Sequence, residues 1–211
     1  RYPTSGSIGT VLNGPNYDAG TGAAVVGTSA GIVASVRTSN CTRRWSVNPG
    51  LGASLVTSSN DVVAATFPGA RRTIGYSRTS GAVLWNINWN YTPTDTRFSS
   101  TGFLYLGVGP FIVSVDGTNG SLEWYRYFGS NITGRPAVPN NGYVYFPVAG
   151  YVYAFDAFTG DYRWNRFIGT ATQLVGVGSN ANGHRVVATT ATGRVQQLNA
   201  TSGATICTTT L

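Results

Sequence analysis

Short apolar runs separated by turns recur along the whole chain, and the unit that repeats is about 40 residues long. Each unit holds an apolar run, a Gly-containing turn, a second apolar run, a turn rich in Thr, Ser, Asn and Gly, and a third run with a tryptophan. Trp45, Trp85, Trp124 and Trp164 mark successive units. Runs of this length, rich in β-branched and aromatic residues and bounded by turn residues, predict β-strands.

Five copies of the unit span about residues 23–50, 61–90, 101–129, 141–169 and 183–211. Each copy predicts three strands, and the spacer between copies adds a fourth. A period near 40 residues with four strands per unit is typical of a propeller blade. We therefore predict an all-β chain in which residues 1–211 form a single closed five-bladed β-propeller, with four antiparallel strands per blade.

The turn before each tryptophan carries a recognisable spacing. The fourth copy has Ala154, Asp156, Gly160 and Trp164 in the order Ala-x-Asp-x-x-x-Gly-x-x-x-Trp. The third copy keeps the last three positions as Asp116, Gly120 and Trp124. The second copy keeps the last two as Gly81 and Trp85. This pattern resembles the tryptophan-docking motif of quinoprotein-like (PQQ-type) β-propeller repeats, and the resemblance covers nearly the whole chain as a repeat pattern.

The resemblance implies contacts between neighbouring blades. In that family the indole of one blade stacks on the peptide at the motif glycine of the next blade. The pairs implied here are Trp45 with Gly81, Trp85 with Gly120, Trp124 with Gly160, and Trp164 with Gly203.

The two cysteines fall on the motif positions of the contact that this series lacks. Cys207 stands at the tryptophan position of the fifth copy, and Cys41 stands at the glycine position of the first copy. The resemblance thus implies a disulfide between them that closes a ring of five blades. The alternative is two unrelated thiols.

The first 22 residues precede the first copy, whereas the fifth copy ends after its third strand. We therefore expect the segment around Ser7 to Leu12 to complete the fifth blade as its outer strand. This closure would remove an open sheet edge, which otherwise invites pairing with other chains.

Charged residues are few, and most of them are basic. Charged residues make up 10% of the chain, and the net charge of +7 comes from arginine alone, because the sequence contains no lysine. A basic balance is compatible with nucleic acid or an acidic polysaccharide, but the arginines form no basic run, so we expect no nucleic-acid partner. No apolar run has the 18 residues of a membrane span. The absence of methionine indicates a processed chain or a part of a longer one.

Five N-x-[ST] sequons lie in predicted turns and spacers, where we expect them to be exposed and glycosylated: Asn40, Asn90, Asn119, Asn131 and Asn199. The alternative is that these asparagines only serve turn geometry. Together with a structural disulfide, which favours an oxidising compartment, the sequons predict an extracellular protein made in a eukaryotic secretory pathway.

Catalytic constellations are absent from the sequence. A Ser or Cys nucleophile needs a neighbouring base, and His184 is the single histidine. A zinc site needs several His or Cys ligands. The seven carboxylates show no pairing suited to hydrolysis. The family resemblance suggests a quinone-dependent dehydrogenase as a remote alternative. Enzymes of that family, however, use a larger ring with a calcium-binding Glu/Asn/Asp set that we do not find. We expect no enzyme, metal or cofactor.

The remaining hypothesis is a binding or structural role. A low-charge polar surface with glycans suits an extracellular, non-catalytic scaffold in a coat, matrix or filament, which associates with itself or with other extracellular glycoproteins. The alternative is a lectin-like propeller that binds acidic glycans through exposed tyrosines and arginines.

Overall fold

The computed structural model describes residues 9–12, 15–18, 22–59, 61–132, 134–169, 171–180 and 183–211. Strands are the regular elements of this part of the chain, together with one short 3-10 turn at Pro68–Ala70. No helix among these residues has the length and apolar content needed to cross a membrane. The chain divides into two compact units, Arg1–Pro93 with Gly117–Gly120, and Thr94–Asp116 with Ser121–Leu211.

The first unit holds two four-stranded antiparallel sheets whose strands follow chain order. The first sheet contains β1 (Asn16–Asp18), β2 (Ala23–Gly27), β3 (Val33–Arg37) and β4 (Arg43–Val47). The second contains β5 (Leu55–Ser58), β6 (Val62–Phe67), β7 (Arg72–Ser77) and β8 (Val83–Asn88).

The second unit holds three antiparallel sheets, of four, three and four strands. The third sheet contains β9 (Arg97–Phe98), β10 (Phe103–Val108), β11 (Phe111–Asp116) and β12 (Leu122–Tyr127). The fourth contains β13 (Tyr143–Val148), β14 (Tyr151–Asp156) and β15 (Tyr162–Phe167). The fifth contains β16 (Ala171–Asn180), β17 (Gly183–Thr190), β18 (Arg194–Asn199) and β19 (Thr205–Thr210).

Burial differs sharply between middle and last strands. All six residues of β6 are buried because this strand is covered on both faces, which explains its nearly uninterrupted apolar run. In β8 and β12, the last strands of their sheets, the tryptophan is the one buried residue, and most of the others are exposed. Each tryptophan therefore anchors an otherwise exposed edge strand.

The spacer strands pair with the copy that follows them. β5 pairs with β6, and β16 pairs with β17, so the fifth sheet obtains its fourth strand from the preceding spacer. The five predicted copies correspond to five sheets, while their closure into one ring stays a prediction.

The prediction that the segment around Ser7 to Leu12 completes the fifth sheet is wrong for the described part of that segment. Val11 forms a bridge with Thr28, and the Leu12 N–H donates to the Gly27 carbonyl at 3.2 Å. These residues thus extend the first sheet. The last strand β19 pairs with β18 alone among the described strands. Ser7 and Ile8 lie outside the described residues.

Candidate functional site

Within the first unit, two indoles pack against motif glycines. A Cβ atom at Gly81 would lie 2.8 Å from Cδ2 of Trp45, and one at Gly120 would lie 3.0 Å from Cγ of Trp85. The indole N–H of Trp45 donates to the Arg78 carbonyl at 2.8 Å, and that of Trp85 donates to a carbonyl at the same distance. Both glycines have positive φ, so they combine a left-handed turn with space for the indole.

The second unit repeats this arrangement. A Cβ at Gly160 would lie 2.5 Å from Trp124, and a Cβ at Gly203 would lie 2.5 Å from Trp164. The two indoles donate to the carbonyls of the residues three positions before these glycines, Ala157 and Ala200, at 3.0 and 3.1 Å. Each indole therefore contributes buried apolar surface and satisfies its N–H donor.

Two buried tyrosines strengthen the contacts in the second unit, and the sequence motif did not identify them. The hydroxyl of Tyr105 donates to the Ala157 carbonyl at 3.0 Å, and that of Tyr145 donates to the Ala200 carbonyl at 2.8 Å. Burial raises the pKa of Tyr105 from its usual 10.0 to about 12, and burial also raises the pKa of Tyr145. Both hydroxyls are thus held in the protonated, donating form.

The two cysteines occupy the motif positions that the sequence alignment assigns to them. Cys41 has a φ of 56°, close to the 68° to 77° of the motif glycines Gly81, Gly120, Gly160 and Gly203. Cys207 lies on β19 opposite Gln197, as Trp164 lies on β15 opposite Ala154. Both cysteines are exposed, and the structure contains no disulfide among the residues it describes.

The sequon asparagines differ in environment. Asn40, Asn90, Asn119 and Asn131 are exposed. Asn199 is only half-exposed, and its Oδ1 accepts hydrogen bonds from the N–H groups of Thr201 and Ser202 at 2.9 and 3.0 Å.

Some of the described carboxylates serve turns and ion pairs. Asp156 caps its turn by accepting from the Phe158 and Thr159 N–H groups, and it pairs with Arg163 at 2.8 Å. Although partial burial opposes it, these donors hold the pKa of Asp156 below its usual value. Among the described residues, no cluster of three or more His, Cys, Asp or Glu side chains is arranged to hold a metal.

A half-buried charge cluster in the second unit was missed by sequence reasoning. Arg135 lies 3.0 Å from Asp95, and Arg97 lies close enough to lower the pKa of this carboxyl. Burial is the larger effect, so the net result is a raised pKa for Asp95. Burial and the nearby Arg135 guanidinium lower the pKa of Arg97. The three side chains come from spacer residues, where the repeat pattern carries no signal.

The first unit also contains an open groove of about 510 Å³, which we call the Pro49 groove. Its apolar lining residues are the half-buried Val47 and Pro49 and the buried core residues Ile74 and Tyr76, while Arg72 and Asn86 are polar. The Arg72 Nε donates to Asn86 Oδ1 at 3.2 Å, which orients the guanidinium. None of the described lining residues is acidic.

Residues 70–211 match the family model described as outer membrane protein assembly factor BamB. The chain belongs to this family of PQQ-like β-propellers. The quinoprotein-like resemblance drawn from Trp164 and its motif is thereby confirmed.

Solved structures agree on the fold. BamB from Moraxella catarrhalis is 21% identical with a TM-score of 0.74, covering 95% of this chain and 65% of that chain. A chain of the mitotic checkpoint complex is 10% identical with a TM-score of 0.78, covering 92% and 63%. The computationally designed Ika8 protein is 15% identical with a TM-score of 0.76, covering 96% and 61%.

This chain therefore spans less than two thirds of the length of each of these structures. No curated protein matches the chain in sequence.

Proposed function

We propose that the chain is an extracellular, non-catalytic scaffold that associates with other proteins, copies of itself among them. The observation that carries this proposal is the set of apolar side chains on exposed edge strands. Tyr125 and Tyr127 project from β12, the last strand of the third sheet, and Tyr127 is 67% exposed. Tyr162 and Phe167 are exposed on β15, the last strand of the fourth sheet.

Edge strands of this kind suit protein contacts for two reasons. Their outward N–H and C=O groups are available to another strand. Exposed aromatic side chains supply contact area with little loss of conformational entropy, since they have two rotatable bonds. A chain with only 10% charged residues also places little electrostatic repulsion between copies.

The non-catalytic part of the proposal is supported by the structural roles of two carboxylates. Asp156 caps a turn, and Asp95 pairs with Arg135. The family is that of an outer membrane protein assembly factor, and assembly is carried out through protein contacts.

Ring closure by a Cys41–Cys207 disulfide and glycosylation of the five sequons belong to the same proposal. The left-handed backbone of Cys41 and the register of Cys207 support the first, because both cysteines take their motif positions. The exposure of four sequon asparagines supports the second. The disulfide requires an oxidising compartment, and glycosylation of the sequons places the chain in a secretory pathway, which in this proposal is eukaryotic.

The test is the size of the protein in native material. Sedimentation and electron microscopy of unfractionated extracellular material should show the chain in ordered oligomers or fibres, with protein–protein contacts between copies or with another glycoprotein. A chain that sediments as a monomer at all concentrations, without a bound protein, would contradict the scaffold.

A lectin-like role is the second candidate, and one repeated feature favours it. Phe111 and Tyr127 in the third sheet have ring centroids 5.3 Å apart, and Tyr151 and Phe167 in the fourth sheet have theirs 5.1 Å apart. These pairs occupy equivalent positions of two copies, as sugar platforms in a propeller lectin would. A saturable hit for an acidic sugar on a glycan array, from a monomeric protein, would select this function over the scaffold.

A further inference from the structure

The half-buried cluster of Asp95, Arg97 and Arg135 holds two cations and one anion. The Arg135 Nε lies 3.0 Å from Asp95 Oδ2, and the two side chains are 27% and 20% exposed. Arg97 is half-buried as well, and none of the ion pairs among the described residues includes it. The cluster therefore keeps one positive charge without a counter-ion and partly away from water, an arrangement that is costly unless an anion joins it.

The hydrogen-bond donors of the cluster are in excess. Each guanidinium carries five N–H donors, and no described residue accepts a hydrogen bond from Arg97 or Arg135. The single carboxylate is already engaged, because Asp95 Oδ1 accepts from the Thr96 N–H at 2.9 Å while Oδ2 faces Arg135. Donors for a second oxyanion are thus present.

The two guanidiniums act on each other and on the same carboxyl group. Arg135 helps to lower the pKa of Arg97, and both arginines oppose the rise in the pKa of Asp95 that burial causes. The two like charges repel each other, whereas an oxyanion bound by both would be attracted to each of them. Guanidinium groups bind carboxylate and sulfate oxygens in a planar, two-bond geometry that suits such a site.

The backbone fixes the Asp95 side of the cluster. Thr96 is fully buried between the half-buried Asp95 and Arg97, so these two residues lie on the same side of the segment. The Thr94 N–H donates to the Gly107 carbonyl at 2.8 Å, and the Gly107 N–H donates to Thr94 Oγ1 at 2.9 Å. These bonds hold the segment against β10.

The backbone around Arg135 is fixed in the same way. Gly134 packs against Pro147 with no space for a side chain. Ala137 and Tyr145 exchange two backbone hydrogen bonds, at 2.9 and 3.0 Å. A site whose backbone is held before a ligand arrives loses little conformational entropy on binding.

The repeat fold does not need a charge at the position of Arg97, which pairs with Tyr105 of β10. The other four copies carry uncharged residues at the same register position: Asn16, Thr57, Ala137 and Val175. A half-buried arginine at this one copy is therefore better explained by a ligand than by folding.

We propose that Arg97 and Arg135 together bind one oxyanion, a carboxylate or sulfate group, beside Asp95. The group belongs either to an acidic sugar or to a free ion, and both present the same chemistry to the guanidiniums. This inference goes beyond the scaffold function and does not depend on it. We call this place the Arg97 site.

Calorimetric titration of the whole chain tests the site with three probes. Sodium glucuronate and sodium sulfate should each bind in a 1:1 ratio, whereas glucose, which has no charge, should not bind. Sodium chloride keeps the ionic strength equal in all titrations, so general screening does not contribute to the difference. Tighter binding of glucuronate identifies an acidic sugar as the source of the oxyanion, and equal or tighter binding of sulfate identifies a free ion.

Two substitutions should change the affinity in opposite directions. Arg97→Gln removes a donor group and should weaken binding of both anions by about 10-fold. Asp95→Asn keeps the oxygen that accepts from Thr96 but removes the competing negative charge, so it should strengthen binding by about 10-fold. Arg126→Gln is the matched control, because Arg126 already pairs with Asp161 at the surface of the same unit, and its affinity should equal that of the unchanged chain.

Circular dichroism and thermal unfolding in sodium chloride show which variants are folded. Arg97→Gln leaves no described partner unpaired, so it should fold as the unchanged chain does. If folded Arg97→Gln binds glucuronate and sulfate as tightly as the unchanged chain, the site is wrong.

The remaining outcomes are equally decisive. Unchanged or weaker binding by Asp95→Asn overturns the site, and this variant decides if Arg97→Gln does not fold. Heat from neither anion with the unchanged chain overturns it as well. A rise in melting temperature that sulfate produces equally in the unchanged chain and in every variant would be a solvent effect and would also count against the site. None of these results bears on the assembly of the chain in native material, so the scaffold function is tested separately.

Discussion

Tyr145 and Trp164 donate to one carbonyl oxygen, that of Ala200, at 2.8 and 3.1 Å. Their rings lie 5.6 Å apart at an interplanar angle of 42°. Tyr105 and Trp124 form the same pair of bonds with the Ala157 carbonyl. In each case, a tyrosine hydroxyl and a tryptophan indole of one sheet donate to the same carbonyl in a turn of the neighbouring sheet. The two hydrogen bonds use both lone pairs of that carbonyl oxygen.

The first prediction concerns this pair. Trp164→Ala should lower the free energy of unfolding by about 3–5 kcal/mol, because it opens a cavity beneath the edge strand. Tyr145→Phe should cost about 1 kcal/mol, since it removes one hydrogen bond and keeps the ring. Denaturant unfolding measures both. Equal losses from the two changes would show that the indole is not the main anchor of β15.

The second prediction separates backbone strain from indole packing. Gly160→Ala places a methyl group 2.5 Å from Trp124 at a φ of 68°, whereas Gly142→Ala has a φ of 82° and nothing within 4 Å. Gly142→Ala should cost about 1 kcal/mol from backbone strain. Gly160→Ala should cost about 1–3 kcal/mol more because the added methyl overpacks the contact. Thermal unfolding gives the difference, and matching values would contradict the stacking argument.

The third prediction concerns alkaline pH. Burial raises the folded-state pKa of Tyr105 to about 12, whereas the unfolded chain keeps the usual 10.0. The stabilisation is therefore complete below pH 10 and is lost as the pH rises from 10 towards 12. The loss should be on the order of 2–3 kcal/mol for this residue. Urea unfolding between pH 9 and 12 measures it, and Tyr105→Phe should reduce the slope.

The fourth prediction concerns the cysteines. Peptide mapping without reductant should recover the Cys41 and Cys207 peptides linked to each other. Reduction should lower stability by several kcal/mol, about the effect of closing a long loop, while the four indole contacts persist as unchanged tryptophan fluorescence below the unfolding transition. Two alkylatable thiols in native material would rule out closure by this bond.

The fifth prediction concerns glycans. The mass of the chain from its native source should exceed the bare 22.2 kDa, and peptide mapping should find sugar on Asn40, Asn90, Asn119 and Asn131. Occupancy should be lowest at Asn199, because it is the least exposed of the five asparagines. A mass equal to the bare chain would refute glycosylation and the secretory pathway inferred from it.

Much of the sheet framework was accessible from the sequence. The alternation of apolar and polar residues is a local property of each strand, and Trp164 with Gly160 marks the repeat because an indole needs a residue without a side chain to lie against. The hydroxyls of Tyr105 and Tyr145 were not accessible in the same way. Their partner carbonyls lie 52 and 55 residues away along the chain.

What the sequence by itself determined was the number of repeats, the three strands within each copy, and the residues that occupy the docking positions, since these follow from short-range spacing. Only the tertiary structure decided which sheet Val11 joins, because backbone hydrogen bonds carry no residue identity and a spacer strand fits either neighbour.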